Sequence, residues 1–254
     1  MIAYSHYREE NLDIPLSDGK KIHGRLRGKL NSDTPIVIMM HGRPGQGNEL
    51  LQYLGARYLH EHRIASLRLS MYDFGEEYRS IIDCTLDTHI ADFEDAVSYV
   101  RARGAKRVFA LGHSYGGLTI LGSNAALDGA VLWDPAHGLV WHDPAFDSPE
   151  YPEKTIEDLV VGVGGYGYVY PAQQAVDDKA LGDTTPWAER KNYPMKFILA
   201  SAGPLAAYAR RYYDVAQEPK ELAEIPDAHH QFEDSDDVIE RLFRETTEFI
   251  AKYC

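Results

Sequence analysis

The sequence predicts an α/β fold, a mostly parallel central sheet with helices on both faces. Three observations carry this. Short, β-rich apolar runs recur along the chain, and most are apolar at consecutive positions, as strands buried on both faces of a parallel sheet are. Segments of helical period lie between these runs. Strands and helices alternating at such lengths imply right-handed crossovers that lay the helices over the sheet.

From Asn11 to Leu30 polar and apolar residues alternate around Ser17-Asp18-Gly19-Lys20, a turn signal, so an antiparallel hairpin opens the fold. Strands are then expected at 35–40 (PIVIMM), 64–70 (IASLRLS), 107–112 (RVFALG), 129–133 (GAVLW), 196–201 (KFILAS) and 221–226 (ELAEIP). In THIADFEDAVSYVRARG (88–104) the apolar residues Ile90, Phe93, Val97 and Val100 recur every three or four positions and Gly104 follows, the pattern of an amphipathic helix with its stop signal. Further helices are expected at 49–62, 115–125, 205–217 and 235–252, the last opening in acidic residues that suit a helix N-terminus. Residues 136–193 break the rhythm with five prolines, a glycine cluster and many aromatics. A structureless connection of that length is unusual inside a domain. The segment is therefore read as a cap inserted after the sixth strand, with 1–135 and 194–254 forming the core.

Composition narrows the function. The 254 residues are 44% hydrophobic and 26% charged, ordinary values for a soluble globular protein, and a net charge of −13 opposes nucleic acid as a partner. Only Cys84 and Cys254 are present, so neither a disulfide framework nor a cysteine metal site is implied. The opening MIAYSHYREENLDIPL lacks the basic start and long apolar core of a leader, and no run approaches a membrane span. A cytoplasmic protein with no membrane association is expected.

The chemistry centres on Gly112-His113-Ser114-Tyr115-Gly116, a G-x-S-x-G between an apolar strand and a small-residue helix. Glycines two positions either side of a serine allow a sharp strand-to-helix turn that projects the hydroxyl clear of the backbone, next to the electropositive end of the helix. The plainer alternative is a serine that only caps the helix. A serine nucleophile needs a base, and imidazole suits that role near neutral pH. Among eleven histidines, His229 and His230 stand in IPDAHHQF, directly after the last strand and before the final helix.

On these motifs, from the hairpin to the last helix, the chain resembles the α/β-hydrolase superfamily. HGRPGQG (41–47), after the strand PIVIMM, looks like that family's oxyanion segment. The resemblance implies that the backbone N–H groups of Arg43 and Tyr115 hold the oxyanion and that His41 is a scaffold residue. It implies His230 rather than His229 as the base, with Ala228 and Phe232 as landmarks. Most relatives carry the triad acid after the seventh strand, but ASAGPLAAYARR has Gly203 at that place, and the next acid, Asp214, falls inside a predicted helix. The family's second solution, an acid after the sixth strand, points to Asp134 in GAVLWDPAHG. Parallel strands bring their C-terminal ends to one edge, so Asp134, Ser114 and the His230 loop can converge there. An Asp before Pro is also a common turn initiator, which leaves Asp214 or another carboxylate open.

Other motifs carry less. GVGGYG (162–167) satisfies G-x-G-x-x-G, yet leads into Tyr-Val-Tyr-Pro instead of a helix, so no dinucleotide cofactor is implied. Adjacent histidines without carboxylate or cysteine partners imply no metal. Aromatics of the cap, with Trp141, Tyr166, Tyr168 and Trp187 as candidates, would line a pocket for a small-molecule ester. The expected function is a serine hydrolase cleaving carboxylic esters of small or medium acyl or aryl groups through an acyl-enzyme. Amide or peptide hydrolysis and acyl transfer use the same machinery, and a non-catalytic ligand-binding protein on a hydrolase scaffold is the alternative from another class.

Overall fold

In this computed structural model, which describes residues 9–31, 33–43, 45–73, 75–144, 153–162 and 168–254, β1 (Glu10–Pro15) and β2 (Lys21–Arg27) form the antiparallel hairpin. Gly19 makes the turn at a φ of 88°, a conformation that favours glycine. Alternation sends Leu12, Ile14, Ile22 and Leu26 inward, while Asn11, Asp13, His23 and Arg25 are more exposed.

Four strands follow: β3 (Ile36–Met40), β4 (Ala65–Ser70), β5 (Val108–His113) and β6 (Gly129–Trp133). An insertion then holds β7 (Glu153–Ile156), β8 (Leu159–Gly162) and β9 (Val169–Pro171), which form a separate antiparallel sheet. The chain returns to the body as β10 (Met195–Ala200) and β11 (Lys220–Ile225). The main sheet runs β1-β2-β4-β3-β5-β6-β10-β11, parallel from β4 onward.

The period of two along these strands divides the core between the two faces. Ile36, Ile38 and Met40 join one cluster while Val37 and Met39 join the other. Val108 and Ala110 against Phe109 and Leu111, and Ala130 and Leu132 against Val131 and Trp133, repeat the division. Helices α2 (Leu86–Ala102), α3 (Tyr115–Gly122) and α6 (Ala206–Val215) cover the first face; α1 (Leu50–Glu61) and α7 (Asp236–Tyr253) cover the second. The start of α2 is set by Thr85, whose Oγ1 accepts from the Thr88 N–H while its own N–H donates to Thr88 Oγ1. A threonine in the third helical position is a less familiar partner than Glu or Gln in such a reciprocal cap.

The insertion is more regular than its composition suggests. Besides its small sheet it carries a 3-10 turn (Gly138–His142), α4 (Ala172–Ala180) and α5 (Thr185–Glu189). Helix α4 has no apolar stripe to reveal it, because the residues it buries are Gln174 and Asp178. Toward its end the segment packs into the body: Ala188 and Tyr193 belong to the first core cluster. Among the described residues no helix is long and apolar enough to cross a membrane.

Candidate active site

Ser114 stands between β5 and α3 with φ 53° and ψ −118°, a backbone conformation that costs an L-residue roughly 1–3 kcal/mol. The surroundings hold it there. Its N–H donates to the Trp133 carbonyl at 3.0 Å, and its own carbonyl accepts from Gly117 at 3.0 Å and Ala136 at 2.9 Å. The flanking glycines are required by contact. A Cβ at Gly112 would lie 2.6 Å from the Gly116 carbonyl, and one at Gly116 would lie 2.6 Å from the Met40 carbonyl oxygen. Ser114 occupies the N-cap position of α3, yet its side chain makes no capping hydrogen bond, so the hydroxyl is not spent on the helix.

Register places Asp134 beside Ser114. His113 and Trp133 are paired residues on adjacent parallel strands, and Ser114 and Asp134 each come one residue later. Asp134 is fully buried, at φ 41°, with its N–H donating to the Ile198 carbonyl at 2.8 Å. Its Oδ2 accepts a 2.7 Å hydrogen bond from His230 Nδ1. That bond assigns the imidazole proton to Nδ1 and leaves Nε2 as the free acceptor. Gly203 explains the missing acid after β10: a Cβ there would come within 3.2 Å of Asp134 Oδ2, so the carboxylate arriving from β6 fills the space. Asp214 is exposed on α6, where its carbonyl accepts from Lys220.

His230 is held from below. The buried landmarks Ala228 and Phe232 pin its loop, and the Ala228 carbonyl accepts from the Ala202 N–H at 2.9 Å. His113, next to the serine, donates from Nε2 to the His230 carbonyl at 2.9 Å. Burial, with His230 beside it, pushes the His113 imidazole down to about 3, so it is neutral and serves as a strut. Sequence reasoning did not single it out. The signal was its place inside the elbow, whose side chain must face the sheet edge. His229 turns outward instead, 71% exposed, with Nδ1 2.6 Å from Asp234 Oδ1. His41 is tied to the backbone, Nδ1 donating to the Gly42 carbonyl and Nε2 accepting from Met71.

The amides of Arg43 and Tyr115 lie in the loop after β3 and at the start of α3; Tyr115 opens its helix, so its N–H has no intrahelical acceptor. The side chains of both residues reach the insertion. Arg43 Nη1 donates to Asp178 Oδ2, and Tyr115 Oη donates to Asp178 Oδ1 at 2.8 Å. The Arg43 guanidinium carbon lies 4.2 Å from the Tyr170 ring centre and 4.4 Å from that of Trp141. Asp178 had no motif to announce it.

A cavity of about 680 Å³ opens over Ser114 and His230. Tyr168 and Tyr170 line it, with Glu49 and Glu233 among the charged groups in its wall. Of the other candidate pocket residues, Trp141 packs on Arg43, Trp187 lines a second cavity of about 640 Å³ beside Lys191, and Tyr166 lies outside the described residues. Most of the GVGGYG motif, 163–167, also lies outside them. Among the described residues no three His, Cys, Asp or Glu side chains gather as a metal ion requires.

A family model described as "Alpha/beta hydrolase family" matches residues 37–243. No curated protein matches the chain by sequence. Among solved structures, Est1E from Butyrivibrio proteoclasticus with ferulic acid bound is 19% identical, with a TM-score of 0.75 over 95% of this chain and 98% of that one. The alpha/beta hydrolase GrgF from Penicillium sp. sh18 is 16% identical, at 0.74 over 96% and 98%. The esterase domain of a Rhodothermus marinus protein is 15% identical, at 0.69 over 95% and 97%. At these identities the likeness is one of fold.

Proposed function

Since the chain belongs to the alpha/beta hydrolase family, we propose that it is a serine hydrolase cleaving carboxylic esters of small or medium acyl or aryl groups. Ser114 Oγ attacks the ester carbonyl carbon as His230 Nε2 takes the hydroxyl proton. The carbonyl oxygen, now an oxyanion, is received by the N–H groups of Arg43 and Tyr115. Donors already in place for a charge that exists only in the transition state are worth a few kcal/mol each. As the tetrahedral species collapses, the imidazolium returns the proton to the departing alkoxide, leaving Ser114 acylated. Water, deprotonated by His230, repeats the sequence and frees the acid.

One observation carries the reading: His230, bonded through Nδ1 to a buried carboxylate, lines the same cavity as a strained Ser114 whose hydroxyl makes no capping bond. The inserted segment, 136–193, acts in this reading as a cap whose Tyr168 and Tyr170 meet the acyl or aryl group. Ferulic acid, the ligand described for Est1E, is an aryl carboxylic acid of the proposed product class.

The test is covalent labelling by a fluorophosphonate, followed by a chain-length series of chromogenic esters. One label per wild-type chain and none on Ser114→Ala, with ester turnover lost in step, is the expected result. An unlabelled, inactive wild type would mark a ligand-binding protein on this scaffold. Turnover of amides at rates matching the esters would move the assignment to an amidase.

A further inference from the structure

We infer that Asp178, on α4 of the inserted segment, is a positioning residue that holds in place the two residues whose amides receive the oxyanion. The inference rests on the proposed serine-hydrolase reading. Arg43 and Tyr115 come from different elements, one from the loop after β3 and one from the start of α3. Their side chains nonetheless converge on one carboxylate, whose two oxygens are divided between them: Oδ2 takes the guanidinium and Oδ1 the phenol at 2.8 Å.

The site is built to keep that arrangement. The Asp178 side chain is 2% exposed and that of Arg43 15%, so the ion pair is shielded from water and intolerant of losing either member. The Tyr170 and Trp141 rings lie against the guanidinium and Tyr115 adds a third ring with its centre at 5.5 Å, which leaves Arg43 little rotational freedom. A side chain fixed at its tip also fixes the Cα from which it springs, and the N–H on that Cα is the proposed oxyanion donor. The insertion therefore does more than roof the cavity, since α4 sets the spacing of the two donors. Misplacing such groups by about an ångström costs up to roughly a hundredfold in rate.

Steady-state kinetics on a chromogenic ester test this in Asp178→Asn, Tyr115→Phe and the double variant, each titrated first with a fluorophosphonate to count active sites. Failure of the wild type to label overturns the hydrolase reading and this assignment with it. With the wild type active, Asp178→Asn is expected to lose roughly ten- to a hundredfold in kcat with KM changed by less than about threefold. Affinity for a trifluoromethyl ketone, which forms a tetrahedral adduct, is expected to fall by the same factor as kcat/KM. Tyr115→Phe keeps its amide and should lose less, and the double variant should be no worse than Asp178→Asn alone, because the phenol acts through the carboxylate. Unchanged kcat, a rise confined to KM, or losses that multiply in the double variant would each overturn the assignment. Should Asp178→Asn fail to fold, Tyr115→Phe decides alone: lower kcat at constant KM supports the role, and wild-type kcat ends it.

Discussion

Moving the acid from one strand end to its neighbour offers a direct test of how the site is built. Asp134→Ala removes the partner of His230 Nδ1 from a fully buried position. Breaking a buried charged pair costs about 3–5 kcal/mol, and if that cost falls on the imidazolium of the transition state, kcat drops by roughly two to four orders of magnitude. Gly203 supplies the rescue. A Cβ built there lies 3.2 Å from Asp134 Oδ2, and the φ of Gly203 is not one that side chains avoid. A carboxylate oxygen sits about 2.4 Å from its own Cβ by ordinary bond lengths, so Gly203→Asp can bring an oxygen within about 1 Å of the vacated place. The Ala200 carbonyl oxygen at 3.1 Å and Ala200 Cβ at 3.2 Å must yield slightly, which keeps the recovery partial. In Asp134→Ala/Gly203→Asp, kcat on a chromogenic ester should recover at least about tenfold over Asp134→Ala, a gain of roughly 1.4 kcal/mol. Wild-type kcat in Asp134→Ala, or no gain in the double variant with its melting temperature intact, would refute the reasoning.

Two further outcomes follow from charge. Burial pushes His41 and His137 down to about 4 and His89 and His113 to about 3, while an unfolded histidine titrates near about 6.5. Below that value the unfolded chain binds protons that the fold refuses, so stability is present above about pH 6.5 and is lost as pH falls, by about 1.4 kcal/mol per histidine per unit. Glu49, raised to about 7 by burial, and Asp178, raised to about 6, oppose this as they protonate. The net loss between pH 7.5 and 5 should be on the order of 5 kcal/mol, and an unchanged or higher urea midpoint at pH 5 would contradict it. The cavity adds a preference among substrates. Asp178 matches the charge of Arg43, while Glu49, held up at about 7 by burial, and Glu233 stand in the wall, so at about pH 8 an ester with a carboxylate-tipped acyl chain should show lower kcat/KM than a neutral one of equal length. The gap should narrow in salt and in Glu49→Gln/Glu233→Gln; equal values for both esters would remove the argument.

The body of the fold was readable because its strands are apolar on both faces and its helices on one. Ile36 to Met40 serve two cores in alternation, so a continuous apolar run marks them. The meeting of Asp134 and His230 was readable in part for a related reason: strand ends in a parallel sheet share an edge, and the family resemblance pointed to a residue at each end while leaving Asp214 open beside Asp134. The insertion gave no such period. Helix α4 buries Gln174 and Asp178, and polar burial is invisible to a reading that looks for apolar spacing. Asp178 meets Arg43 across 135 positions of chain, a pairing that no local pattern encodes. The division of labour among the aromatics was hidden as well, since Trp141 on a guanidinium and Tyr168 in the cavity look alike in composition.

The ladder that sets His113 opposite Trp133 makes Ser114 and Asp134 neighbours on one piece of rigid lattice, whereas His230 hangs from a loop beyond the last strand. The site is thus assembled from a fixed pair and a tethered third member. Gentle destabilisation, by low denaturant or modest heating, should detach the tether before the lattice yields, and hydrolysis would fade while the body of the protein still holds its shape.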